Sequence, residues 1–130
     1  MSLLTVLASF VLAYLLGALW YSPLMFGKPW LALQTRDPSE MKMDAKVFAL
    51  SIGAWLITAL CFNYLFISLI QEQSLLSALR LAVVVWLGFS CCSEAMAVAF
   101  GGKNIRLSMI DLPYHLSGLL LIALMNAWLV

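Results

Sequence analysis

The chain has 130 residues, of which 65% are hydrophobic and only 10% charged, with a formal net charge of +1 and a mean hydropathy of +1.03. A soluble domain carries about 25% charged residues, so most of these side chains must face lipid or protein rather than water. The length allows one domain, and a charge so close to zero gives nucleic acid no basis for attraction.

Taken in chain order, four segments reach the length of about 20 apolar residues that crosses a bilayer. They cover residues 3–20, 38–70, 78–100 and 108–130, with the apolar part of the second beginning at Val47. They predict an all-α membrane protein, four transmembrane helices in an antiparallel bundle. The first run lacks a basic leading region, and bulky Trp20 and Tyr21 follow it instead of small cleavage-site residues. It therefore reads as a retained helix and not a signal peptide. Ser9, Ala13 and Gly17 recur every four residues along it, and Ala123 and Ala127 do so in the last run. Such small-residue faces let helices approach closely, either within the bundle or between subunits.

The stretch WYSPLMFGKPW, Trp20–Trp30, follows the first run. Trp20, Tyr21, Phe26 and Trp30 suit the headgroup layer, where a ring buries its body and wets its polar tip. Pro23 and Pro29 break helix, so the chain turns or lies along the interface. Ser22 and Gly27 complete the turn-forming set, and Lys28 can snorkel to lipid phosphates. An interfacial anchor accounts for these residue types; a gate over a cavity is the functional alternative. Beyond it, Asp37, Pro38 and Glu40 form a capping-box pattern that starts the second helix near residue 38. Lys42 and Lys46 can line one wet face of its first turns.

Six of the seven basic residues fall in two connections: Lys28, Arg36, Lys42 and Lys46 between the first two runs, and Lys103 and Arg106 between the last two. Arg80 alone lies near the opposite side. The positive-inside rule places both basic connections in the cytoplasm and both termini outside. Two pairs of stretches also echo one another: LGALWYSPLMFGK with LGFSCCSEAMAVAFGGK, and LSIGAWLITALCFN with LSGLLLIALMN. A parallel internal repeat would produce this, and so would chance among apolar helices.

Ionisable groups inside a membrane are costly and are functional candidates by default. Glu94, Asp111 and His115 are the three here. At 1.5 Å per residue, Glu94 lies about 9 Å, His115 about 10 Å and Asp111 about 5 Å inside the basic boundary. A short connection joins their helices, so Glu94 and His115 are expected to pair. Asp111 and His115 share one face of the last helix, and Pro113 between them weakens the backbone ladder. Ser90, Ser93 and Tyr114 can join this cluster. It serves as a hydrogen-bonded network fixing register, as a proton or cation relay, or as the floor of a substrate cavity. Asn63 and Asn126 read as interhelical hydrogen bonders. Cys61, Cys91 and Cys92 read as small apolar filler. Cys91 or Cys92 with Glu94 and His115 lacks any known metal-ligand spacing and offers a single His, so neither a metal nor any other cofactor is expected. The sequence shows no nucleophile–base pair, so no catalytic residue is assigned.

LGALWYSPLMFGKPW after a first apolar helix, WLGF in the third, and IDLPYHL opening the last resemble the bacterial membrane family known as domain of unknown function 1761. The resemblance covers most of the chain and picks out Trp20, Tyr21, Ser22, Pro23, Phe26, Gly27, Lys28, Tyr114 and His115. It implies a four-helix inner-membrane protein and supplies no reaction.

The expected function is an oligomeric transporter or binder of a small apolar or cationic compound, working through Glu94, Asp111, Tyr114 and His115. The alternative is a structural or regulatory protein that partners another membrane complex. Membrane lipids, a small-molecule ligand and a second copy of the chain are the expected partners, with a dimer favoured. The location expected is the bacterial inner membrane. A reporter fused after Val130 should therefore be active on the periplasmic side only; activity in the cytoplasm would invert the topology.

Overall fold

The computed structural model describes residues 2–34 and 44–130. Helix α1 spans Leu3–Trp20, and Ser2 caps it by accepting from the Thr5 amide at 3.3 Å. Pro23 has no amide proton and the helix stops before it. Residues 21–26 turn back on themselves: the Phe26 amide donates to the Trp20 carbonyl at 2.9 Å, and the Gly27 amide to the Ser22 carbonyl at 3.0 Å. Gly27 is buried in that turn. A Cβ there would sit 2.8 Å from the Ser22 carbonyl oxygen, so a larger residue would force the turn open. The short helix α2, Gly27–Ala32, follows.

Helix α3 runs Ala45–Leu69, with Asp44 accepting from the Val47 amide at 3.0 Å. The expected cap at Asp37, Pro38 and Glu40 lies outside the described residues, as does Lys42. The third span, Leu75–Gly101, is 27 residues long. It starts three residues before the expected 78, because Ser74 and Ser77 cap each other reciprocally. It is not one regular helix. Helix α4, Leu75–Val85, gives way to a π-helical segment, Trp86–Cys91, and then to α5, Cys92–Gly101. Gly102 closes α5 in the left-handed region, φ +66°, where glycine carries no Cβ penalty. Helix α6 runs Ile105–Leu129 with Pro113 inside it, and the Asn104 side chain caps its start.

The chain is thus an all-α membrane protein, with four helices among the described residues long and apolar enough to span a bilayer: α1, α3, the α4–α5 span and α6. Helix α6 is the centre. It packs against α1 and α4, and α1 packs in turn against α3. Small residues make this possible: Ala13, Ala59, Ala78, Ala82 and Ala123 are fully buried in the core, where small side chains let backbones close up. The stripe of Ser9, Ala13 and Gly17 faces this interior. A Cβ on Gly17 would lie 2.5 Å from the Tyr114 hydroxyl. The large apolar residues left at the surface, such as Leu4, Phe89, Phe100 and Trp128, suit a lipid solvent.

Two asparagines lock α3 to α6. Asn63 Nδ2 donates to Asn126 Oδ1 at 2.7 Å, and Asn126 Nδ2 donates to the Ile122 carbonyl at 2.9 Å. Both residues are fully buried. A double-mutant cycle over Asn63→Ala and Asn126→Ala, read by unfolding in detergent, should give a coupling of about 0.6 kcal/mol and no more than about 1.7 kcal/mol. Additive losses would mean that the pair contributes packing and no hydrogen bond.

Candidate functional site

The polar residues gather at the end of the bundle that carries the basic connections. Tyr21, the first residue after α1, donates its hydroxyl proton to Asp111 Oδ1 on α6. Lys103 lies in the connection between α5 and α6, and the chain there curls back through Gly102. Its Nζ donates to Asp111 Oδ2 at 2.9 Å and to Glu94 Oε2 at 2.7 Å. Ser108 Oγ donates to the same Glu94 oxygen at 2.7 Å. One ammonium therefore serves two carboxylates, and four stretches of chain meet at the node: the end of α1, α5, the loop and α6.

Above the node, indole N–H groups converge on the same part of α6. Trp20 Nε1 donates to the Ile110 carbonyl at 3.1 Å, and Trp86 Nε1 to the Leu112 carbonyl at 2.8 Å. Trp55 Nε1 donates to the Tyr114 hydroxyl at 2.6 Å. The ring of Trp55 also covers Gly118, where any Cβ would strike it. Tyr114 is edge-on to Tyr21, with ring centroids 5.1 Å apart. Trp30 is edge-on to Tyr21 from the other side at 5.5 Å, and Phe26 packs on Trp20 at 4.8 Å. Trp20 and Tyr21 thus act as hydrogen-bond donors that reach across the bundle, in addition to lying at its end. Pro23 and Lys28 stay at the surface, and Ser22 donates to the Leu19 carbonyl at 2.6 Å. Trp30 borders a cleft of about 390 Å³ that Lys103 and Asp111 also line.

Of the sequence candidates, Glu94 and Asp111 are brought together, with Lys103 between them. The expected pairing of Glu94 with His115 does not form. Depth alone matched these two; the loop lysine reaches Glu94 instead and meets its charge with a full opposite one. Tyr114 turns toward α1 and α3. His115 turns away from α1 and lines a groove between α3 and the third span. Sequence reading placed Lys103 at the membrane boundary and missed it as a partner. Its spacing was the signal: nine residues after Glu94 and eight before Asp111, with two glycines to let the chain fold back.

The groove exists because α3 and the third span do not pack along their length. It has a volume of about 380 Å³, with walls that include Trp55, Thr58, Cys61 and Phe62 on one side and Val85, Phe89 and Ser90 on the other. His115 and Leu119 form its floor. His115 Nδ1 is buried and has no hydrogen-bond partner. The three cysteines are free thiols. Among the described residues, no three side chains of His, Cys, Asp or Glu come together as a metal site needs.

The family model described as protein of unknown function (DUF1761) matches residues 4–127. The chain belongs to that family. No curated protein and no solved structure matches it.

Two groups of the node titrate at high pH with the same sign. Burial pushes the Tyr21 hydroxyl up, and its bond to Asp111 adds to that. Burial opposes the charge of Lys103, but Asp111 and Glu94 outweigh it and hold the ammonium above its ordinary value of 10.5. A group raised in the folded state contributes stability that is complete below its unfolded value and lost as pH climbs through the folded one. Thermal stability in detergent should hold from neutral pH to about 10 and then fall. Lys103→Gln or Tyr21→Phe should each make that alkaline fall shallower; an unaltered alkaline limb in both would remove the node from the stability of the fold.

Proposed function

We propose that this member of the DUF1761 family binds a small apolar compound within the membrane, in the groove between α3 and the third span. The observation that supports it most is His115 on the groove floor, with a ring nitrogen buried and unpartnered. Ligand sites are mostly apolar concavities of about 300–1,000 Å³ with a few placed polar groups. This groove has that size and that make-up: aromatic and aliphatic walls with His115, Ser90 and Thr58 set among them. A polar group without a partner in hydrocarbon is costly. A compound with one hydroxyl or carbonyl group on an apolar body would find its polar contacts among His115, Ser90 and Thr58.

The cationic branch of the expectation receives less support. Lys103 occupies both carboxylates, and His115 stands apart from them, so among the described residues no free acid faces the groove. The basic residues at one end favour a bacterial inner membrane with that end in the cytoplasm. The groove opens sideways rather than enclosing its contents, so a second copy that closes it, and hence a dimer in contact with membrane lipids, belongs to this reading. A second reading, a regulatory partner of another membrane complex, draws on α5, which has no buried residue of its own and offers its surface to a neighbour.

The test uses the protein in nanodiscs, with Cys91→Ser and Cys92→Ser and a trifluoromethyl tag on Cys61, which lines the groove. Naphthol should shift the tag's fluorine resonance saturably. Naphthalene, which lacks the hydroxyl, should bind roughly tenfold more weakly, the value of one good hydrogen bond. His115→Phe should erase the difference between the two. A shift that never saturates for either compound would sink the groove as a site.

A further inference from the structure

The two halves of the third span are held in different ways. Helix α4 is packed: Ala78 and Ala82 are fully buried. Helix α5 has no fully buried residue and makes little contact with α6 along its length. Its polar tie to α6 and the loop is Glu94, whose Oε2 accepts from Lys103 Nζ and from Ser108 Oγ, both at 2.7 Å. Both ends of α5 have joints. At one end is the π-helical segment Trp86–Cys91, where the regular ladder is interrupted and Gly88 meets no neighbour. At the other end is Gly102 in its left-handed conformation.

We propose that α5 is an arm, hinged at the π-helical segment and latched by Glu94, and that the latch controls access to the groove. The inference rests on the groove reading for what is controlled, and on geometry alone for the arm. Phe89 and Ser90, which form part of the third-span wall of the groove, belong to the hinge segment itself. A swing of α5 therefore moves that wall. Trp86 holds the near side of the hinge in place through the Leu112 carbonyl, so the swing leaves α4 where it is. The latch is electrostatic where the rest of the bundle is packed. Removing one charge releases the arm without opening a cavity in the core.

The test combines paired spin labels, in a background lacking Cys61, Cys91 and Cys92, with the naphthol measurement in the Cys61-tagged background. Phe48→Cys on α3 with Phe100→Cys on α5 reports the arm; Leu4→Cys with Leu69→Cys reports the far end of the bundle. All four positions are exposed. In the parent chain both pairs should give narrow distance distributions. Glu94→Gln and Lys103→Gln should each broaden and lengthen the Phe48–Phe100 distance and leave the Leu4–Leu69 distance alone. Dissociation of naphthol should be severalfold faster in the same two variants. Distances unchanged at both pairs would overturn the latch, and broadening at both pairs would make Glu94 part of the general scaffold and overturn it equally. An arm that opens with naphthol dissociation unchanged would overturn control of the groove. Failure of naphthol to bind the parent chain sinks the groove reading instead, and the spin-label distances then decide the arm by themselves.

Discussion

The stretch of α6 from Ile110 to Tyr114 takes polar contacts from each of the other spans or from the segments adjoining them. Trp20 and Trp86 reach the carbonyls on either side of Asp111, Tyr21 and Lys103 share its carboxylate, and Trp55 reaches the Tyr114 hydroxyl. Inside a membrane no water is at hand to complete these groups. Pro113, which takes one amide out of the helical ladder, sits in the middle of the stretch. The constraint on this fold is that the polar groups brought in with that segment find their partners on the other spans or the segments adjoining them, with His115 just beyond it as the exception. Once they do, the rotation and depth of α1, α3 and the third span around α6 are fixed together.

That constraint explains why the charged residues lie where they do and what they leave undone. Glu94 and Asp111 could each have been a relay group, but one lysine meets both. A carboxylate paired with an ammonium and a hydroxyl is a costly thing to free, and its first consequence is to tie the end of α1, the loop and α5 to α6. His115 is the contrast. It stands one residue beyond Tyr114 on the same helix, and that single step turns it through the roughly 100° between successive helical residues, away from the node and into the groove. The groove therefore lies outside the node, and the node sets the frame around it.

The sequence echoes between the two halves of the chain do not correspond to equal packing. Gly17 in α1 lies against Tyr114, whereas Gly88, its counterpart in the third span, meets nothing within 4 Å. Gly27 is enclosed by its own turn, whereas Gly101 and Gly102 are open. Helix α1 packs against both α6 and α3; the third span packs on α6 but leaves α3. The groove is the product of that difference. It stands where a symmetric bundle would have closed.

What the sequence determined by itself is whatever depends on position along a helix axis. Four apolar runs long enough to cross a membrane are a local property of composition, and so are the Trp20–Trp30 stretch at a helix end and the gathering of basic residues in two connections. The rise per residue placed Glu94 and Asp111 near one end of the bundle's axis, and the structure brings both onto Lys103. Asn63 and Asn126, too polar to face lipid, were legible as interhelical hydrogen bonders, though not as each other's partner. Direction around the axis was not legible. Glu94 and His115 have matching depth and still face different neighbours, because facing is decided by which helix surfaces pack, Gly17 under Tyr114 and Gly118 under Trp55. The partner of Glu94 came from a loop lysine that the sequence showed only as one of the basic residues in the second connection. The π-helical segment and the groove beside it arise only when four helices share one centre, since nothing in WLGFSC taken alone departs from an ordinary apolar helix.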